Sequence, residues 1–122
     1  MSNHSEYIEA FLEIINEREK HNNKLREYAK QTANSCAQRL VKDFGAKKVY
    51  LFGSLIDNTF TEGSDIDLAI EGAEVIDYLK AIAMLEGING FSVDLLDIES
   101  CPAPIKKRIL KYGKVLFDET IS

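Results

Sequence analysis

The stretch that decides the fold covers residues 51–70 and reads LFGSLIDNTFTEGSDIDLAI. A Gly53-Ser54 pair follows a short β-rich run, and ten residues later Asp65 and Asp67 open an alternating apolar segment. In a strand every second side chain points to the same face, so the two carboxylates share a face and repel each other. Such a pair calls for a positively charged group close by.

The bulk properties of the chain limit what that group can be. At 122 residues the chain has the length of one domain. Its net charge of -5 and isoelectric point near 5.0 argue against non-specific binding to nucleic acid or to an anionic membrane, since both need a basic face. A single nucleotide that arrives with metal ions remains compatible with this charge.

The lack of a targeting signal in this sequence and the usage of cysteine predict a cytoplasmic protein. No apolar run approaches the roughly 18 residues that span a bilayer, and the polar N-terminus lacks the apolar stretch of a secretory signal. Two widely separated cysteines, Cys36 and Cys101, lie in apolar-patterned sequence. We expect buried thiols in a reducing compartment rather than a disulfide.

Residues 1–44 contain neither glycine nor proline and are predicted to be helical. A first apolar stripe consists of Tyr7, Ile8, Phe11, Leu12 and Ile15, and a second of Leu25, Tyr28, Ala29, Thr32, Cys36, Leu40 and Phe44. The polar residues 16–24 interrupt the pattern. Either a loop near residues 21–23 separates two helices, which we favour, or one long helix carries two docking faces. We expect the first stripe to pack against another chain, a second copy or a helical partner.

The rest of the chain alternates between short strands and helices. Gly45 is predicted to end the helical region. Strands are predicted at residues 48–52, 65–71 and 91–96, with a last extended piece at 115–117. Helices are predicted at residues 73–85 and from Pro102 or Pro104 to Gly113.

Three carboxylates are expected to converge if the second and third strands are neighbours. Asp94 stands between apolar residues in the third strand and would join Asp65 and Asp67. Uncompensated, this cluster would be strongly destabilising, and divalent cations relieve the repulsion. Ligands that are all oxygen favour hard ions, Mg²⁺ or Mn²⁺, which retain positions for substrate phosphates.

The Gly53-Ser54 pair can complete a phosphate site. A glycine lets the backbone approach a phosphate closely, and the following hydroxyl can hold it. A lone Gly-Ser is usually only a turn, and Asp94 alone could be an edge-strand acid with a lysine partner. The order strand, Gly-Ser, ten residues, Asp-apolar-Asp, and then an isolated Asp in a later strand is specific.

These residues resemble the nucleotidyltransferase superfamily typified by DNA polymerase beta, and within it the minimal nucleotidyltransferases. The family signature, an apolar residue, Gly-Ser, a spacer of about ten residues and Asp-apolar-Asp, is matched by residues 52–67. The third acid of the superfamily corresponds to Asp94. The resemblance covers roughly residues 25–117, and we expect residues 1–22 to be an N-terminal helical extension of a transferase domain at 23–122.

The resemblance implies a small mixed α/β (α+β) sheet with helices packed on one side. It implies transfer of a nucleoside monophosphate, with AMP from ATP as the expected case, and Asp65 and Asp67 as ligands of two Mg²⁺ or Mn²⁺ ions. Asp94 would help to hold the catalytic metal and deprotonate the acceptor hydroxyl, while Gly53 and Ser54 would hold the β- and γ-phosphates. Minimal nucleotidyltransferases of this kind pair with helical HEPN-type proteins as antitoxins, which makes such a protein the expected partner in a homo- or hetero-oligomer.

One departure from the family pattern concerns the residues after Gly-Ser. Many members carry an arginine there, whereas this chain has Leu55, Ile56 and Asp57. Basic residues of the last helix, at positions 106–108, are candidates for the missing contact.

Two alternatives to this transferase function remain. One is a non-catalytic subunit that binds a nucleotide or a partner, and the other is small-molecule transfer, which in related enzymes uses an additional helical domain.

Overall fold

The computed structural model describes residues 4–121, apart from the side chain of residue 76. The helices are α1 (His4–Phe44), α2 (Ser54–Asp57), α3 (Val75–Leu85) and α4 (Ala103–Tyr112). The strands are β1 (Lys48–Phe52), β2 (Asp65–Glu71), β3 (Ser92–Asp97) and β4 (Lys114–Asp118). Short 3₁₀ turns occupy Ile88–Gly90 and Glu119–Ile121.

The four strands form one mixed sheet in the order β3-β2-β1-β4. β1 pairs antiparallel with both β2 and β4, whereas β2 and β3 are parallel because α3 connects them. This arrangement confirms the predicted fold class. The predicted bounds of the first two strands agree with the structure, and the third strand lies one residue later than predicted.

The main core lies between α1, α3 and one face of the sheet. The C-terminal half of α1 presents small buried residues, including Ala29, Ala33 and Ala37, so that the helix can approach the strands closely. Opposite them lie buried aliphatic residues of β1, β2 and β3, namely Val49, Leu51, Ile66, Leu68, Ile70 and Leu95.

The expectation that the helices lie on one side of the sheet is correct for α1 and α3 and wrong for α4. A second, smaller cluster forms on the opposite face, where Ile109 of α4 packs with Tyr50, Ala69 and Ile98. α4 therefore covers part of the face that carries the acidic side chains of β2. The alternating pattern of β2 does not predict that α4 covers this face, because Ala69 is small enough to fit either an open or a covered position.

The expectation of two helices before residue 45 is wrong, because α1 is continuous over 41 residues. The polar segment consists largely of good helix formers, and no glycine or proline breaks it. It lies where the helix leaves the body of the domain, so it needs no apolar face of its own. At that point His21 Nε2 lies 2.7 Å from Glu62 Oε1, and Arg26 Nε donates to the Phe60 carbonyl at 2.8 Å.

The sequence also predicts how α1 ends and that the two cysteines are free, buried thiols. Gly45 follows the helix with a φ of 71° and donates to the Val41 carbonyl, as predicted for a C-terminal glycine. Both thiols are free; Cys36 is buried, whereas Cys101 is partly exposed, contrary to expectation. Burial raises the pKa of Cys36 to about 11, which keeps this thiol protonated and unreactive. Within residues 4–121, no helix is both long and apolar enough to cross a membrane.

Candidate active site

The parallel pairing of β2 and β3 places two of the predicted carboxylates side by side. Asp67 and Asp94 are register partners, and Asp65 is paired with Ser92. Adjacent strands are about 4.8 Å apart, and paired residues point to the same face. The condition for the carboxylates to converge, that the second and third strands are neighbours, is therefore met.

The three carboxylates differ in their exposure to solvent. Asp67 is partly buried, whereas Asp65 and Asp94 are exposed. Asp65 begins β2 on the face of Asp67, and β3 forms one edge of the sheet. The cluster consequently opens towards solvent at the start of β2 and at the free side of β3.

The electrostatic consequence falls on Asp67. Burial, with the neighbouring charges of Asp94 and then Asp65, raises the pKa of the Asp67 carboxyl from 3.8 to about 6. All three causes disfavour the ionised form. The structure therefore shows the like-charge repulsion that the sequence predicted at this position.

Gly53 lies directly against the Asp67 carboxylate. Its φ of 76° and ψ of -145° belong to a region that residues with a side chain rarely occupy. A Cβ atom added at this position would overlap the Oδ2 atom of Asp67. The glycine is thus required both by its own backbone conformation and by the position of the carboxylate.

The turn after Gly53 is held by backbone hydrogen bonds. The amides of Ile56 and Asp57 donate to the Gly53 carbonyl at 3.0 and 3.2 Å, and the Thr59 amide donates to the Ser54 carbonyl at 3.0 Å. Leu55 is buried in the main core and anchors this turn. The residue directly after Gly53-Ser54 is therefore a packing residue.

A pocket of about 790 Å³ lies beside this turn, between α2 and α4. Its walls are mainly apolar and aromatic, with one acid and one base: Phe52, Gly53, Ile56, Asp57, Ile105, Arg108, Ile109 and Tyr112. This volume is in the range of small-molecule sites. All three basic candidates in the last helix are exposed, and of these only Arg108 lines this pocket.

The contribution of α4 to this pocket is the part that the sequence did not reveal. Ile105, Ile109 and Tyr112 recur at intervals of four and three residues, which is the spacing of one helix face. That spacing was a usable signal for a surface. It did not show that the face turns towards Gly53, because the order of the strands decides where α4 lies.

The donor set at the cluster fits a hard divalent cation, although the site is not a closed cage. Among residues 4–121, no group of three or more His, Cys, Asp or Glu is placed so as to hold a metal ion unaided. Mg²⁺ is commonly bound by one or two carboxylates together with substrate phosphates. The Asp67 and Asp94 pair, with Asp65 beside it, supplies carboxylate ligands of this kind.

The family model for polymerase beta nucleotidyltransferases matches residues 34–121. The chain belongs to this family. The matched segment contains every residue of the candidate site, and it begins within α1, so the predicted boundary at residue 22 stays a prediction.

Two relatives of this nucleotidyltransferase show how far the similarity extends. It is 31% identical over 77 residues to the protein adenylyltransferase MntA of Thermococcus cleftensis, covering 61% of this chain and 78% of the relative. It is 33% identical over 73 residues to a Methanocaldococcus jannaschii protein whose name provisionally assigns it as a protein adenylyltransferase. That match covers 60% of this chain and only 57% of the relative's length.

The fold is shared with solved toxin–antitoxin structures. A crystal structure of a toxin–antitoxin with AMP-PNP superimposes with a TM-score of 0.61 at 27% identity. The superposition covers 70% of this nucleotidyltransferase and 73% of the other chain.

The contact between Gly53 and Asp67 predicts the effect of an alanine at residue 53. Gly53→Ala should lower the melting temperature more than Gly63→Ala, a matched control with φ of 84° and no heavy atom within 4 Å of its added Cβ. The control reports the backbone cost of a positive φ, on the order of 1 kcal/mol. Gly53→Ala adds the cost of its own ψ of -145° and the overlap with the carboxylate. Adding Asp67→Ala to Gly53→Ala should restore part of the loss in thermal denaturation. Equal losses for the two glycines would contradict the close contact.

The raised pKa of Asp67 predicts how the metal-free protein responds to pH. The folded state binds the proton more tightly than the unfolded state, so this stabilising contribution is complete below pH 3.8 and is lost as the pH rises through about 6. The melting temperature of wild type should therefore fall from pH 5 to pH 7 by more than that of Asp67→Asn. Mg²⁺ at pH 7 should raise the wild-type value and have less effect on the variant. Parallel pH profiles for the two proteins would show that Asp67 is not under charge strain.

Proposed function

We propose that this nucleotidyltransferase transfers AMP from ATP to a hydroxyl group of a partner protein. The observation that carries the proposal is the contact of Gly53 with Asp67, which is itself the register partner of Asp94. The Gly53 backbone, which is proposed to bind phosphate, therefore lies beside the two carboxylates that are proposed to bind metal. The 790 Å³ pocket beside them is large enough for a nucleoside.

Asp65, Asp67 and Asp94 are the proposed ligands of Mg²⁺ or Mn²⁺. Such ions, when bound, neutralise the charge of the triphosphate and of the oxygens that attack and leave. Without the ions, the three carboxylates would repel the triphosphate. The raised pKa of Asp67 supports this assignment, because the site is destabilised by negative charge unless a cation is supplied.

Gly53 and Ser54 are the proposed contacts of the β- and γ-phosphates. The missing side chain of Gly53 leaves the space that the Asp67 carboxylate occupies, so the backbone and this carboxylate lie next to each other. Ser54 begins α2 immediately afterwards and contributes a hydroxyl group. The buried Leu55 fixes the position of the turn from the core side.

The pocket between α2 and α4 is the proposed nucleoside site. Tyr112 and Phe52 supply aromatic surface against which a base can stack, and Ile105 supplies aliphatic surface. Arg108 is the basic residue that lines this pocket beside Gly53. It is the proposed substitute for the arginine that follows Gly-Ser in many relatives.

Asp94 is the proposed base for the acceptor hydroxyl. It is exposed on β3, and the far side of that strand is not paired with any described strand. A large acceptor can therefore approach from this edge without disturbing the nucleoside pocket. The acceptor is proposed to be a helical HEPN-type protein, because relatives are named protein adenylyltransferases and one solved neighbour is a toxin–antitoxin structure.

The direct test incubates the purified chain with α-labelled ATP, Mg²⁺ and the product of the neighbouring gene. Label should move to the partner, and Asp65→Asn, Asp67→Asn and Asp94→Asn should each reduce the transfer at least a hundredfold. Asp43→Asn is the matched control, because Asp43 is an exposed acid at the distant end of α1. It should retain full activity.

Nucleotide binding by the same proteins separates failure of transfer from failure of the nucleotide site. Arg108→Ala should weaken binding of a non-hydrolysable ATP analogue, while Lys106→Ala, a change outside the pocket, should not. Binding without any transfer of label would support the alternative of a non-catalytic subunit. Neither binding nor transfer would overturn the proposed function.

A further inference from the structure

The N-terminal part of α1 projects from the domain as an arm, defined here as residues 4–20. Five of its large apolar side chains are exposed, from 50% at Leu12 to 72% at Tyr7, and Ile15 is partly exposed. The body of the domain begins at residues 21–26, where His21 and Arg26 contact the loop before β2. Nothing else within residues 4–121 buries these side chains.

The arm is amphipathic, with two opposite faces. At 100° per residue, its apolar side chains cover about 160° of the circumference: Tyr7, Ile8, Phe11, Leu12, Ile14 and Ile15. Glu6, Glu9, Glu13 and Glu17 occupy the opposite face, and residues 4–17 contain no lysine or arginine. This charge disfavours an anionic membrane as the cover of the apolar face.

The apolar residues are arranged almost symmetrically about Phe11. Reversing the arm about this residue exchanges Tyr7 with Ile15 and Ile8 with Ile14, so an apolar side chain meets an apolar side chain at each position. A two-fold interface requires this property, because residue i must contact j while j contacts i. A groove on an unrelated protein requires no such symmetry.

A groove of about 640 Å³ lies beside the arm, between it and the loop before β2. Its lining combines Ile14, Arg18 and His21 with the acids Glu13, Glu17 and Glu62, so it is not part of the apolar face. In an antiparallel pair centred on Phe11, residues 4–9 of one arm run beside residues 13–18 of the other.

We infer that a second copy of this chain covers the arm, in an antiparallel pair of helices centred on Phe11. The acidic faces then point outward into solvent on both sides, where their repulsion is screened. The distance from Phe11 to the start of the body at Leu25 is about 20 Å at 1.5 Å per residue. The two domains therefore lie at opposite ends of the paired arms.

The test uses single cysteines and a short bis-maleimide in a Cys101→Ser background, where the remaining Cys36 is buried. Phe11→Cys should form a covalent dimer with itself. Tyr7→Cys and Ile15→Cys should couple when the two are mixed, and much less when each is alone. Glu13→Cys, on the acidic face, is the control and should not couple. Coupling of Tyr7→Cys and Ile15→Cys each with itself would mean a parallel pair and overturn the inference.

Light scattering over a range of concentrations supplies an independent measurement. The wild-type mass should double with concentration, and Phe11→Asp should reduce it to one chain. Leu79→Asp is the matched control, because Leu79 on α3 is 60% exposed and Phe11 is 62% exposed. It should leave the dimer intact. A single-chain mass for wild type at all concentrations, or loss of the dimer in both variants, would overturn the inference without affecting the proposed transfer reaction.

Discussion

The parallel pairing of β2 with β3 brings Asp67 beside Asp94, and this repulsive contact is the constraint on which the rest of the site depends. A protein that only needed stability would place an apolar pair at this position, as it does one residue later with Leu68 and Leu95. The cost appears in the pKa of Asp67, which rises to about 6. In the proposed function, cations and the triphosphate that accompanies them remove this cost.

The surrounding elements leave the Asp67 and Asp94 pair accessible and place Gly53 and the pocket beside it. β1 leads into the turn that sets Gly53 against Asp67, and the buried Leu55 prevents the turn from moving away. α4 crosses the same face further along, so it closes one side of a pocket without covering the carboxylates. The main core on the other face supports β2 through Ile66, Leu68 and Ile70 and is separate from the chemistry.

The local patterns in the sequence were sufficient for the strands and for the acidic cluster. Alternation in the segment that became β2 determined both its bounds and the shared face of Asp65 and Asp67. The neighbouring position of β3 was only a condition in the sequence analysis, and the structure meets it by pairing Asp94 with Asp67. These features depend on a period of two residues and on short separations along the chain, where sequence patterns are most informative.

Features that depend on tertiary placement could not be predicted in the same way. The continuity of α1 was missed because a polar segment was interpreted as a loop, although an exposed helix needs no apolar stripe. The side of the sheet that α4 covers, and hence the position of Arg108, depends on the packing of Ile109 against Tyr50 and Ala69. No spacing within the α4 segment contains that information. The arm is the opposite case. Its apolar stripe is evident in the sequence, but only the structure shows that the stripe is exposed.

The most direct measurement of the central claim is the titration of the Asp67 carboxyl carbon by NMR in the metal-free protein. The midpoint should lie near pH 6 and should fall in Asp94→Asn, because burial remains while one neighbouring charge is removed. Added Mg²⁺ should lower the midpoint further in wild type. A midpoint near the ordinary value of 3.8 that does not respond to Asp94→Asn or to Mg²⁺ would contradict the account, because the two carboxylates would then not share a site.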